Sequence, residues 1–162
     1  MPCDTAHYFI SGIQRNVNIP ILNMIEESAN YVKNIFPSSK KVCLFASKGT
    51  YKAKLYNSFF TAKNIEILIP TPPEQDKIMD LIYMVKSGIL SEEMKSQIIK
   101  ISEEQIKKGA QAIIAGCTEI PLILKDKDIK VPIIDPTNIL AKKAIKEVKN
   151  IEYINSVIIP PI

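Results

Sequence analysis

The sequence has 162 residues, 46% hydrophobic and 23% charged, with a net charge of +4. That is enough chain for a domain with a real core, and too apolar for a disordered one. No uninterrupted apolar run is long enough to span a bilayer, so no membrane partner is expected. The 21 basic and 17 acidic residues are interleaved along helical segments, which reads as a solvated surface. With one arginine, Arg15, and no tryptophan, the chain lacks a reader set for nucleic acid, and none is expected as a partner. Asp4 and His7 stand where a signal peptide would be apolar, so the expected compartment is the cytoplasm. Three cysteines, an odd number, argue against a disulfide framework. Cys3 and His7 supply only two ligands and no CxxC completes a tetrahedron, so no metal site is expected.

In chain order, residues 3–14 read as a strand-to-helix junction and a short helix, with Asp4 and Thr5 as N-cap residues. His7 falls in the first turn, where local packing and bonding is favoured over acid–base work. Ile19–Leu22 reads as a short strand, an edge or one that begins after Pro20. Met24–Phe36 has helical apolar spacing, ended by Pro37-Ser-Ser39. Lys41–Ser47 reads as a strand with Cys43 inside it as a core residue. Ser47-Lys-Gly-Thr50 then turns the chain into a helix over about 51–62, with Thr50 suited to capping it. Ile65–Pro70 is a strand. After the rigid turn Thr71-Pro-Pro73, Asp76 can cap a helix that places Ile78, Leu81, Ile82 and Val85 on one face and Lys86 near its end. Ser91 opens a long helix to about Lys108, and Gly109 ends it.

The stretch Ala112–Leu124 carries the strongest signal. An apolar run reads as a buried strand, Gly116 breaks it, and Cys117-Thr118-Glu119 lead into a second apolar run containing Pro121. At a strand-to-helix tip, free N–H groups favour an anion, and a thiol there is expected to ionise more easily than a free one. Met1-Pro-Cys-Asp-Thr-Ala-His7 is a second Cys-bearing tip, which suggests two thiols facing one pocket. For either cysteine alone, a small apolar core role stays open. Val131–Asp135 is a last strand and Asn138 to about Lys149 an amphipathic helix. Pro160-Pro161 suggests a loose terminus to the tail 151–162. Alternating strands and helices predict an α/β fold, parallel sheets with helices on both faces, with ligands at the carboxyl ends of the strands.

Met-Pro-Cys-Asp-Thr-Ala-His at 1–7 and Gly-Cys-Thr-Glu-Ile-Pro-Leu at 116–122 resemble the two signature segments of the aspartate/glutamate racemase family, in its aspartate racemase branch. The resemblance continues in Leu44–Tyr51 and Val85-Lys-Ser-Gly88 and runs to about residue 148. It implies two similar α/β domains with the site in the cleft between them, and a cofactor-independent isomerase acting on a small dicarboxylic amino acid, aspartate or glutamate. Cys3 and Cys117 would be acid and base on opposite faces of the α-carbon. Thr5, Ser47, Thr50 and Thr118 would hold carboxylate, Lys86 would support the distal group, and Glu119 would orient its neighbours. The resemblance also implies a homodimer, since the family is commonly dimeric. A hydantoin racemase or maleate isomerase is a related alternative.

Two departures stand out. The first signature commonly reads Cys-Asn-Thr, and Asp4 replaces the Asn, an anion beside a substrate carboxylate unless it is paired, protonated or used as a helix cap. The family also normally has about two further βα units upstream, with a Gly-rich substrate loop and an arginine, and Arg15 does not fall in a matching segment. The expected organisation is therefore a remnant of a first domain over 1–38, a second α/β domain over 39–136, and a helix and tail over 137–162. Such a truncated chain is either a racemase or an inactive or ligand-binding module.

Overall fold

The computed structural model describes the backbone of residues 1–158 and the side chains of residues 1–149. After a 3-10 turn at Thr5–Phe9 come helices α1 (Ile10–Gln14) and α2 (Met24–Ile35), then strand β1 (Lys41–Ala46). Helices α3 (Lys48–Lys52) and α4 (Asn57–Thr61) lead to β2 (Glu66–Leu68). Long helices α5 (Pro72–Lys86) and α6 (Glu92–Lys107) precede β3 (Ile113–Gly116). The one-turn helix α7 (Ile120–Ile123), β4 (Ile133–Ile134) and α8 (Pro136–Ile158) complete the order. The four strands form one sheet in the order β2-β1-β3-β4, every neighbouring pair parallel. β1 pairs with β3 from Cys43↔Ile113 to Ala46↔Gly116, so both strands end at the same level.

The alternation of side chains along β1 sorts the core into two layers. Cys43 and Phe45 pack with Ile113 and Ala115 against Ile78 and Ile82 of α5, Ile98 of α6 and Ile120 of α7. Val42, Leu44 and Ala46 pack with Ile114 against Met24 and Val32 of α2, Phe60 of α4 and Leu140 of α8. This is the predicted parallel α/β arrangement, with helices covering both faces. Cys43 is fully buried, as its place inside the strand implied.

Several local expectations are corrected. Ile19–Leu22 forms no strand. The Gln14 side chain instead donates to Ile19 O and accepts from Ile21 N, while Pro20 has no N–H for a ladder. The helix expected over 51–62 is two short helices, α3 and α4, separated where Lys54 adopts φ +50°. α3 is capped by Ser47, whose Oγ accepts from Thr50 N, and not by Thr50. α5 starts at Thr71, whose N–H and hydroxyl both donate to the Glu74 carboxylate, and Asp76 pairs with Lys48 at 2.5 Å instead of capping. Asp4 and Thr5 make no side-chain cap to the N-terminal turn. α8 runs to Ile158, beyond the expected 149, and Pro160-Pro161 lies outside the described residues.

Gly116 lets β3 end flush against β1. A Cβ there would stand 2.5 Å from Leu44 Cδ1 and 3.2 Å from Phe45 O, in a layer with no slack. Gly116→Ala is expected to lower the unfolding free energy by about 1–3 kcal/mol. A denaturant midpoint that falls with an unchanged slope would be the readout.

Candidate active site

Because Ala46 and Gly116 are paired, the residues that follow them, Ser47 and Cys117, leave the sheet side by side at its carboxyl edge. Two polar clusters are built on these exits. In the first, Thr5 Oγ1 lies 2.8 Å from Ser47 Oγ and 3.0 Å from Thr50 Oγ1, and Ser47 Oγ lies 3.2 Å from Thr50 Oγ1. Three hydroxyls in a triangle can rotate to present donors to one carboxylate. Gly49 permits the approach, since a Cβ there would meet Thr5 Cγ2 at 3.0 Å.

In the second cluster the Cys117 thiol donates to Glu119 Oε2 at 2.9 Å, and the Thr118 hydroxyl donates to the same oxygen at 3.1 Å. Lys86 Nζ stands 3.6 Å from Glu119 Oε1. Burial pushes the Cys117 thiol up to about 12, helped by its hydrogen bond to Glu119 and the charges of Glu119 and Asp4. This reverses the expected lowering. α7 is a single turn with a weak dipole, and the nearest charged group is an anion at hydrogen-bond distance. For Glu119, burial acts upward, but the Cys117 and Thr118 donors, a backbone N–H and Lys86 outweigh it and hold the carboxyl below its usual range.

The N-terminal turn joins these clusters through buried groups. His7 is clamped: Nδ1 is 2.8 Å from Cys3 O, and Nε2 accepts from Met24 N at 3.2 Å, which fixes the Nδ1–H tautomer. Burial lowers its pKa, so it holds the turn onto the start of α2 as a neutral ring. Asp4 is buried, with Oδ1 accepting from the Tyr56 hydroxyl. Burial raises its carboxyl from 3.8 to about 6, against the lowering effect of Tyr56, with Asp135 and Glu119 adding repulsion. Cys3 itself is exposed.

The structure thus brings Thr5, Ser47 and Thr50 together, joins Cys117, Thr118, Glu119 and Lys86, and places Asp4 within the electrostatic reach of Cys117 and Glu119. Two tyrosines went unread in the sequence. Tyr56 is fully buried and holds Asp4. The Tyr51 hydroxyl donates to Leu44 O and accepts from Ala46 N, each at 2.9 Å, which ties α3 to the end of β1. The cue available for Tyr51 was its position four residues after the Ser47 cap.

With this geometry in place, the chain can be classified: it belongs to the Asp/Glu/Hydantoin racemase family, whose model matches residues 1–144. The broad specificity amino-acid racemase RacX of Bacillus subtilis is 26% identical over 145 residues, covering 90% of this chain and 62% of that protein. The solved aspartate racemase homologue of Pyrococcus horikoshii superposes with a TM-score of 0.78 at 28% identity, covering 91% of this chain and 64% of that one. An uncharacterized Pectobacterium carotovorum protein, 26% identical over 140 residues, is covered to 91% of its length. The chain therefore spans less than two thirds of RacX and of the Pyrococcus homologue. No helix among the described residues is long and apolar enough to cross a membrane.

Two outcomes follow from the electrostatics. The Asp4 carboxyl has a higher pKa in the fold than in the unfolded chain, so the native state binds the extra proton. Its cost to stability appears as pH rises from 3.8 to about 6 and is complete above that. Asp4→Asn should therefore stabilise the fold by about 3 kcal/mol at pH 7.5 and by little at pH 3.5. Denaturant unfolding at the two pH values is the measurement. Glu119→Gln should lower the pKa of Cys117, read from thiolate absorbance against pH in a Cys3→Ser background.

Proposed function

We propose that this chain carries out cofactor-independent racemisation of a small dicarboxylic amino acid, aspartate before glutamate, by proton transfer between Cys3 and Cys117. The observation that carries this reading is the meeting of three chain segments, around residues 3–5, 47–50 and 117–119, at the carboxyl edge of one parallel sheet. In a doubly covered parallel sheet that edge is where ligands bind.

The roles follow from the chemistry. The α-proton is weakly acidic, and its removal spreads negative charge onto the adjacent carboxylate. The Thr5–Ser47–Thr50 triangle supplies donors for that carboxylate, and Thr118 adds one beside Cys117. In one direction Cys3, as thiolate, takes the α-proton from one face while the Cys117 thiol delivers a proton to the other. Cys3 ends as the thiol and Cys117 as the thiolate, ready for the opposite enantiomer. Glu119 holds the Cys117 proton in place before transfer, and Lys86, half-exposed beside Glu119, supports the distal carboxylate. Asp4 lines the same site. No step calls for a cofactor.

A second reading is supported by length. The strands described lie within 41–134, and the chain spans 62% of RacX and 64% of the Pyrococcus homologue. On that reading residues 1–38 are part of a first domain, and the chain binds ligand without turning it over unless that domain is completed, in this polypeptide or by another, with the chain associating as a homodimer. Exchange of the α-proton of L- and D-aspartate in heavy water separates the two. Exchange abolished by either Cys3→Ala or Cys117→Ala is the expected result. A folded sample with no exchange above its double mutant, for aspartate or glutamate, would favour the binding module.

A further inference from the structure

Lys48, Lys52 and Lys54 line one cavity of about 540 Å³, bounded by α3, the start of α4 and the start of α5, with no carboxylate among its walls. The cavity between α2, α7 and α8 differs, because Asp126 and Asp135 stand there with Lys125 and Lys142. Asp76 pairs with Lys48, whereas Lys52 and Lys54 form no ion pair among the described residues. Lys48 and Lys52 are four residues apart on α3, a spacing that sets like charges side by side at a cost to the helix. Lys54 carries φ +50°, a left-handed conformation that glycine or asparagine adopts more readily. The segment thus gathers positive charge where its own backbone disfavours it, a conflict that a bound anion resolves.

The other walls suit an organic body. The Tyr51 hydroxyl is already engaged with β1, so it is the ring that Tyr51 offers, beside apolar surface from Leu44 and Ile69. A volume in the range of small-molecule sites, roughly 300–1,000 Å³, also exceeds what a bare inorganic anion fills. We propose that this cavity is a second binding site, for a phosphate monoester, with the phosphate among Lys48, Lys52 and Lys54 and a flat apolar part against Tyr51, Leu44 and Ile69. A monoester is close to a dianion at neutral pH and carries three acceptor oxygens, which matches several ammonium groups better than the single charge of a carboxylate. Lysines serve it as point charges on flexible stems. The proposal is independent of the racemase reading: of the residues given to substrate there, only Thr50 lines this cavity.

The test is calorimetric titration of the whole chain with phenyl phosphate at pH 7.5 and low salt, beside inorganic phosphate and phenol. The wild type should bind phenyl phosphate at one site, about tenfold or more tighter than either fragment. The variant Lys52→Gln/Lys54→Gly should lose about tenfold or more of that affinity. Glycine suits the φ at position 54, so this variant should keep the wild-type denaturation midpoint. Lys52→Gln alone, at an exposed side chain, carries the same test should the pair fail to fold. Lys142→Gln/Lys146→Gln removes equal charge from α8 and should leave binding as in the wild type. Equal weakening by both pairs overturns the site, because net charge then explains the binding. Undiminished binding after loss of Lys52 and Lys54 overturns it too, as does the absence of saturable binding by the wild type. Inorganic phosphate binding as tightly as the ester overturns the ester assignment.

Discussion

The in-register pairing of β1 with β3 is the constraint from which the site follows. Parallel strands cannot be joined by a tight turn, so each must be reached through a crossover that returns to the same end of the sheet. Once Ala46 and Gly116 are paired, Ser47 and Cys117 have no freedom to leave the sheet anywhere but beside each other. The absence of a side chain at Gly116 is part of the same constraint, because Leu44 and the Phe45 carbonyl fill the space a Cβ would need. Tyr51, bonded to both Leu44 and Ala46, then fixes how α3 departs, and with it the Ser47–Thr50 pair.

The second determinant is the management of negative charge in a partly dry space. Asp4 and Glu119 are brought near one thiol, and Asp135 adds its charge beside Asp4. Glu119 has found partners in Cys117, Thr118 and Lys86, whereas Asp4 has only the Tyr56 hydroxyl on one oxygen. An interior arranged for stability alone would have placed a neutral amide there, and the surplus charge is a local conflict of the kind that functional sites carry. The high pKa of Cys117 belongs to the same economy. A thiol held protonated by a neighbouring carboxylate suits a proton donor and is an unsuitable resting nucleophile.

Much of this was legible in the sequence. Helices α2 and α5 announced themselves by apolar period, α6 by the Ser91 start, and the strands β1 and β3 by short apolar runs. The signature segments around Cys3 and Cys117 pointed to the family. What the sequence hid was of two kinds. Short elements were misjudged because tertiary bonds decide them: Gln14 holds 19–21 as a loop, and the turn at Lys54 divides a helical pattern. Electrostatic character was misjudged because the direction of a thiol's shift depends on atoms in space. Position after a strand suggested a helix dipole beside Cys117. The fold supplied one turn of helix and an anion at 2.9 Å. Tyr56 gave no warning, since a tyrosine inside an aromatic-rich stretch reads as packing until its hydroxyl is seen to have a partner.

The crossover between β1 and β3 has a kinetic meaning as well. Two crossovers, through α3 and α4 to β2 and then through α5 and α6 to β3, separate Ser47 from Cys117. The triangle of hydroxyls likewise joins Thr5 to Thr50 across α2 and β1. Contacts so far apart in the chain are among the last to be made, because loop-closure entropy must be overcome before they reward it. Among the described residues, no single helix pair holds all three segments. A ligand that touches all three segments therefore grips the native topology as a whole, and its binding energy adds directly to the free energy that separates the folded chain from every partly folded one.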